Sequence, residues 1–184
     1  ATSMTCETID IPQKSRHTCS YVLYMSDKMR HISKLSIIKK LNREKNIKSA
    51  KNLFIEIMNE NPTFNMEIND NQYMVDIGMD IKKQDKLIFD INLNLQNDDE
   101  LHISTGQIWC SWFPLSDEII KIFKEAVNGI LLGNYRIREF KRFGETKKSY
   151  LEKLANGKWE IVYKYHHKIT FPFLKYQEVI TRNG

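Results

Sequence analysis

The chain has 184 residues, 41% hydrophobic and 28% charged, with 28 Lys/Arg against 23 Asp/Glu for a formal charge of +5. That is long enough for one domain with its own core, and too apolar for a disordered polyelectrolyte. No apolar run reaches the roughly 18 to 20 residues that span a bilayer, and the nearest, Ile119–Leu132, is broken by Lys121, Lys124, Glu125 and Asn128.

Heavy use of Ile, Lys and Asn fits an AT-rich coding genome and carries no mechanism. The first residues lack the charged-then-apolar pattern of a secretion signal. Cys6, Cys19 and Cys110 have no Cys-x-x-Cys spacing, so they make neither a disulfide framework nor a metal site. A soluble, cytoplasmic protein is expected in preference to a secreted one, with a Cys6–Cys19 disulfide as the mark of the second case.

Residues 1–30 have little periodicity and read as an N-terminal arm, with Ser20–Met25 as one short strand; 31–184 read as a single α+β domain. From Ser33 the spacing turns helical: Leu35, Ile38, Leu41, Ile47, Ala50, Leu53, Phe54, Ile57 and Met58 form one apolar face at a period near 3.6. The spacing admits one long helix or two broken near Asn42–Asn46. Pro62 ends it, because proline disfavours helix in the residue before it.

The period then becomes two. Phe64–Ile68, Tyr73–Ile81 and Leu87–Leu95 alternate apolar with polar residues, and a fourth strand runs from Leu101 to about Phe113 with Gly106 as a bulge. The short links between these runs force antiparallel neighbours, since a parallel return takes about a dozen residues. A second helix at about 116–132 opens on Ser116 as its cap, carries Asp117 and Glu118 at the positive end of its dipole, and stops at Gly133. Strands follow near Tyr135–Phe143, Thr146–Leu154 and Trp159–His167. Asn156-Gly157 is a type I′ hairpin signal that pairs Leu154 with Trp159, Lys153 with Glu160, Leu151 with Val162 and Tyr150 with Tyr163. The tail after Lys168 supplies a further edge strand. The whole is an α+β fold: a four-strand and then a three-strand antiparallel meander packed on a long N-terminal helix and the second helix. One curved sheet around a helix, or two small sheets, both satisfy that order.

No diagnostic catalytic motif is present. The glycines form no phosphate-cradling turn, and Gly-x-Ser-x-Gly and His-Glu-x-x-His are absent. Of His17, His31, His102, His166 and His167, only His102 lies near an acidic loop, Asp98-Asp99-Glu100, so no metal or cofactor is expected. Cys110 near His102 has the residue types of a nucleophile and base, but a thiol between Trp109 and Trp112 reads as packing. Asp76, Asp80 and Asp90 have the types for paired-carboxylate chemistry and read as the wet side of a sheet.

Charge is segregated. Residues 1–51 hold 11 Lys/Arg and 4 Asp/Glu (+7), 52–120 hold 3 and 13 (−10), and 121–184 hold 14 and 6 (+8), which sum to +5. Either the thirds neutralise one another, or the molecule presents an acidic face of Asp76, Asp80, Asp90, Asp98, Asp99 and Glu100 and a basic patch of Arg136, Arg138, Lys141, Arg142, Lys147, Lys148, Lys164, Tyr165 and His166. The leading expectation is a non-catalytic binding protein of the inhibitor or immunity type, meeting another protein through a sheet face or edge. Two alternatives are nucleic-acid binding by the basic meander and a small-molecule or enzymatic pocket between a curved sheet and the first helix.

Overall fold

The computed structural model describes residues 14–70, 75–106, 108–166 and 175–184, with side chains from residue 34 onward apart from Leu35. The chain divides into two compact units, residues 1–42 and 43–184. The fold is α+β, with two helices and two antiparallel sheets.

The first helix, α1 (Lys14–Glu60), is continuous, so the two-helix alternative falls away. Ser20–Met25, expected as a strand, lies inside it. A six-residue window cannot separate the two periods, and extending a nucleated helix costs far less than starting one. The expected apolar face also begins later than its spacing implied. Ile38 and Leu41 are exposed, and full burial starts at Ala50 and continues through Leu53, Phe54 and Ile57. These four join the main core of the second unit.

The five-stranded sheet is a simple meander of β1 (Met66–Asn69), β2 (Ile77–Ile81), β3 (Ile91–Gln96), β4 (Glu100–Thr105) and β5 (Ile108–Trp112). The expected fourth strand is therefore two. Gly106, at φ +57°, turns the chain instead of bulging it, and Thr105 faces Ile108 across the new hairpin. Register aligns Ile77, Leu95, Leu101 and Trp112 in one row and Met79, Leu93, Ile103 and Cys110 in the next, which makes this the core face.

Helix α2 (Asp117–Leu131) follows, capped by the Ser116 hydroxyl, which accepts the Ile119 N–H at 3.3 Å. Phe123, Ala126, Val127, Ile130 and Leu131 are its buried stripe, and Gly133 at φ +73° ends it. The four-stranded sheet has the order β8 (Lys158–His166), β7 (Glu145–Ala155), β6 (Tyr135–Arg142), β9 (Gln177–Thr181). The tail's edge strand is thus present, beside β6. Asn156 and Gly157, at φ 50° and 74°, form the expected hairpin, and Phe143-Gly144 repeats the same left-handed pair between β6 and β7.

Lys153 faces Glu160 and Leu154 faces Trp159 as expected, but Leu151 faces Tyr163 and Tyr150 faces Lys164. A bulge at Val162 shifts the register by one beyond Glu152. Its effect is to turn Tyr163 to the covered face, where its ring packs 5.4 Å from Trp112 and its hydroxyl accepts the Ser111 N–H at 3.2 Å. That contact ties the outer strand of one sheet to the outer strand of the other.

Candidate binding face

The acidic residues of the five-stranded sheet do not form one charged surface. Asp80 accepts hydrogen bonds from Asn69 (2.8 Å) and Asn92 (2.9 Å), Asn92 accepts from Asn94 (2.7 Å), and Asn94 accepts from Gln96 (2.9 Å). The alternating polar residues are thereby spent on one another in a continuous ladder. Asp76 is bound by Arg43 at 2.6 Å and accepts the Asp98 N–H, while Asp98 lies 3.2 Å from the same guanidinium. The salt bridge and its hydrogen bonds hold the Arg43 pKa above its ordinary value. Asp90 accepts the Lys83 N–H, Glu100 accepts from Asn97, and Asp99 is half-buried in the turn beside them.

His102 sits in the middle of this polar face, 4% exposed, with its ring 4.9 Å from Trp109. Glu100 approaches Nε2 at 3.4 Å, and neither ring nitrogen makes an aligned hydrogen bond among the described residues. Burial holds the imidazole pKa below its usual value, and the Glu100 carboxylate offsets only part of that. Cys110 points to the opposite, core face of the sheet, which removes the Cys110–His102 nucleophile and base as a site. Burial also pushes the thiol pKa up, away from a reactive thiolate. Among the described residues no three His, Cys, Asp or Glu side chains converge to hold a metal ion.

The four-stranded sheet has a different distribution. Its covered face carries Tyr135, Ile137, Leu151 and Tyr163, with Tyr135 seated against Gly129 of α2. Its other face gathers Arg136, Arg138, Lys148, Lys164 and His166 from three strands. Arg182, just beyond β9 and not singled out by its sequence position, joins them. The arginines are held in place. Glu152, 1% exposed, takes Arg136 Nε at 2.7 Å and Arg138 at 2.6 Å, and Glu178 lies 3.9 Å from Arg138.

Rings support the same cations. Arg136 and Arg182 lie over Trp159 at 4.3 and 5.2 Å, Arg138 lies over Phe140 and Tyr150, and Lys148 lies 4.3 Å over Phe140. Ile161 and Ile180 are exposed at 40% and 50% on this face. Not every basic candidate takes part. Lys141 lies on the covered side with Glu139, two residues along β6, and the bulge at Lys147 of β7 brings Thr146 to the same side. Lys147 is at that bulge and pairs with Glu145, Arg142 stacks on Phe143 at the hairpin tip, and Tyr165 pairs with Ser149 on the covered side. Lys168, His167 and Cys6 lie outside the described residues, as do the side chains of Cys19, His17 and His31.

A cavity of about 330 Å³ opens elsewhere, between α2 and β6–β7, lined by Glu125, Asn128, Asn134, Tyr135 and Lys153. Leu53, Phe54 and Ile57 of α1 are buried in the same hydrophobic cluster as the inward residues of the five-stranded sheet. No helix among the described residues is long and apolar enough to cross a membrane. No family model, no curated protein and no solved structure matches this chain.

Proposed function

We propose that this chain is a non-catalytic binding protein, of the inhibitor or immunity type, that receives an acidic partner protein on the open face of its four-stranded sheet. One observation carries the reading. Arg136, Arg138, Lys148, Lys164 and Arg182 share that face, against the carboxylates Glu152 and Glu178. A mixed face of stacked guanidinium groups and exposed isoleucines matches the arginine-rich, aromatic make-up of interface hot spots. Prior positioning lowers the entropy lost on docking.

Nucleic acid is the second reading, favoured by the same positive field. It is ranked lower because base stacking needs open ring faces, and here Trp159, Phe140 and Tyr150 already carry the protein's own cations. The test is affinity capture from the source cell with the wild-type chain and with a Lys148→Glu/Lys164→Glu variant. The reading expects one stoichiometric acidic protein, eluted by moderate salt and lost with the variant. Equal capture by both chains would refute it. Nuclease-sensitive capture, or retention on a polyanion resin that the double variant abolishes, would move the assignment to nucleic acid.

A further inference from the structure

We infer that Arg136 and Arg182, sharing the ring of Trp159, form a seat for a phosphoryl dianion carried by a side chain of the partner protein. The inference rests on the open-face reading above and names the group that face would recognise.

Extending the β6–β9 register by one residue beyond Ile137 and Thr181 sets Arg136 opposite Arg182 on adjacent antiparallel strands. Like charges in that relation repel, so the pair is a local cost that packing does not require. Each guanidinium is nevertheless fixed. Arg136 Nε donates to Glu152 at 2.7 Å, Arg182 Nε donates to the Gly133 carbonyl at 2.6 Å, and both groups lie on Trp159. Their terminal nitrogens make no hydrogen bond or ion pair among the described residues. Two guanidinium groups, each fixed at Nε, therefore lie against one indole ring, with no described residue on their outer donors.

Ligand chemistry follows from donor count and charge. One carboxylate satisfies one arginine fork with its two oxygens. Two forks call for more acceptors, and a phosphoryl group brings three oxygens and a charge of about −1.5 to −2 at pH 7. The charge balance agrees. Arg136 and Arg138 share the carboxylate of Glu152, Glu178 lies 3.9 Å from Arg138 alone, and Arg182 has only a neutral carbonyl among the described residues. Exposed Ile180, two residues before Arg182, gives the flanking peptide an apolar contact.

The experiment is a titration of the full chain, followed by the Trp159 indole and Arg Nε–H resonances. The probes are a phosphoserine peptide with aliphatic neighbours, its Ser and Glu counterparts, and a single-stranded oligonucleotide. The phosphopeptide should bind at least about tenfold tighter than the Ser form, and the advantage should grow as pH rises through about 6, where the second phosphoryl proton is lost. Arg182→Lys keeps the charge and removes the fork together with the Nε bond to Gly133, and should weaken phosphopeptide binding by about tenfold at a temperature where the variant is fully folded. Lys164→Gln should do much less. Equal affinity for the Ser and phosphoserine peptides, or an unaltered Arg182→Lys variant, would overturn the inference. Tighter binding of the oligonucleotide than of the phosphopeptide would overturn it too, by giving the seat to nucleic acid. If the peptide arms fail while Lys148→Glu/Lys164→Glu still abolishes partner capture, the open face stands and only the phosphoryl seat falls.

Discussion

The two sheets use the same alternation of apolar and polar residues to opposite ends. In the five-stranded sheet the polar side chains satisfy one another. Asp80, Asn92, Asn94 and Gln96 form a ladder, and Asp76 and Asp98 close on Arg43. In the four-stranded sheet a single buried carboxylate, Glu152, organises two arginines, and cations stay in excess on a solvent-facing surface. Charge density along the sequence therefore says little about charge available for binding. What decides it is whether neighbours at cross-strand distance supply the missing hydrogen bonds.

The largest expected break in this contrast is Glu152→Ala. Removing the carboxylate leaves Arg136 and Arg138, 18% and 25% exposed, without their shared partner, and should cost about 3 to 5 kcal/mol of stability in urea unfolding. A loss below about 1 kcal/mol, the worth of an ordinary surface pair, would mean that Glu152 does not organise the face. Gly129→Ala comes next. Its Cβ would lie 2.0 Å from a Tyr135 ring carbon, so α2 should be forced off the covered face of the sheet at about 1 to 3 kcal/mol. The corresponding measurement is the shift in urea midpoint.

Asp80→Ala probes the other sheet. It strips the acceptor from Asn69 and Asn92 and should cost about 1 to 2 kcal/mol, while leaving partner capture unchanged. Lys148→Glu/Lys164→Glu should show the reverse, with stability within about 0.5 kcal/mol of wild type and capture lost. A matched loss of capture in both variants would erase the distinction between the sheets.

The smallest expected effect is the pH dependence contributed by His102. Its folded pKa lies below the unfolded value, so the unfolded chain binds more protons. Stability should then fall as pH drops below about 6.5, the unfolded histidine value. Urea midpoints at pH 5 and 7.5 should lie closer together in His102→Asn than in wild type. An unchanged gap would show that the ring is solvated on that face.

Much of the architecture is legible in the residues themselves. Period-two runs marked most strands, Ser116 and Gly133 marked both ends of α2, and Asn156-Gly157 marked its hairpin, because each is a local preference of backbone and side chain. The site is less legible. Arg136, Arg138, Lys148 and Lys164 stood out by clustering, whereas Arg182 is distant in sequence and reached them only through the pairing of β9 with β6.

Local sequence thus determined the α+β class, the antiparallel order and the segregation of charge, all properties of residues near one another in the chain. Tertiary structure alone decided which charges remain available. The bulge at Val162 sent Tyr163 inward to Trp112, and the bulge at Lys147 sent Thr146 inward to Glu139. Because side chains alternate with a period of two, one inserted residue exchanges the faces of everything beyond it. Whether that insertion is favourable depends on what waits on the far side of the sheet, which no window of sequence contains.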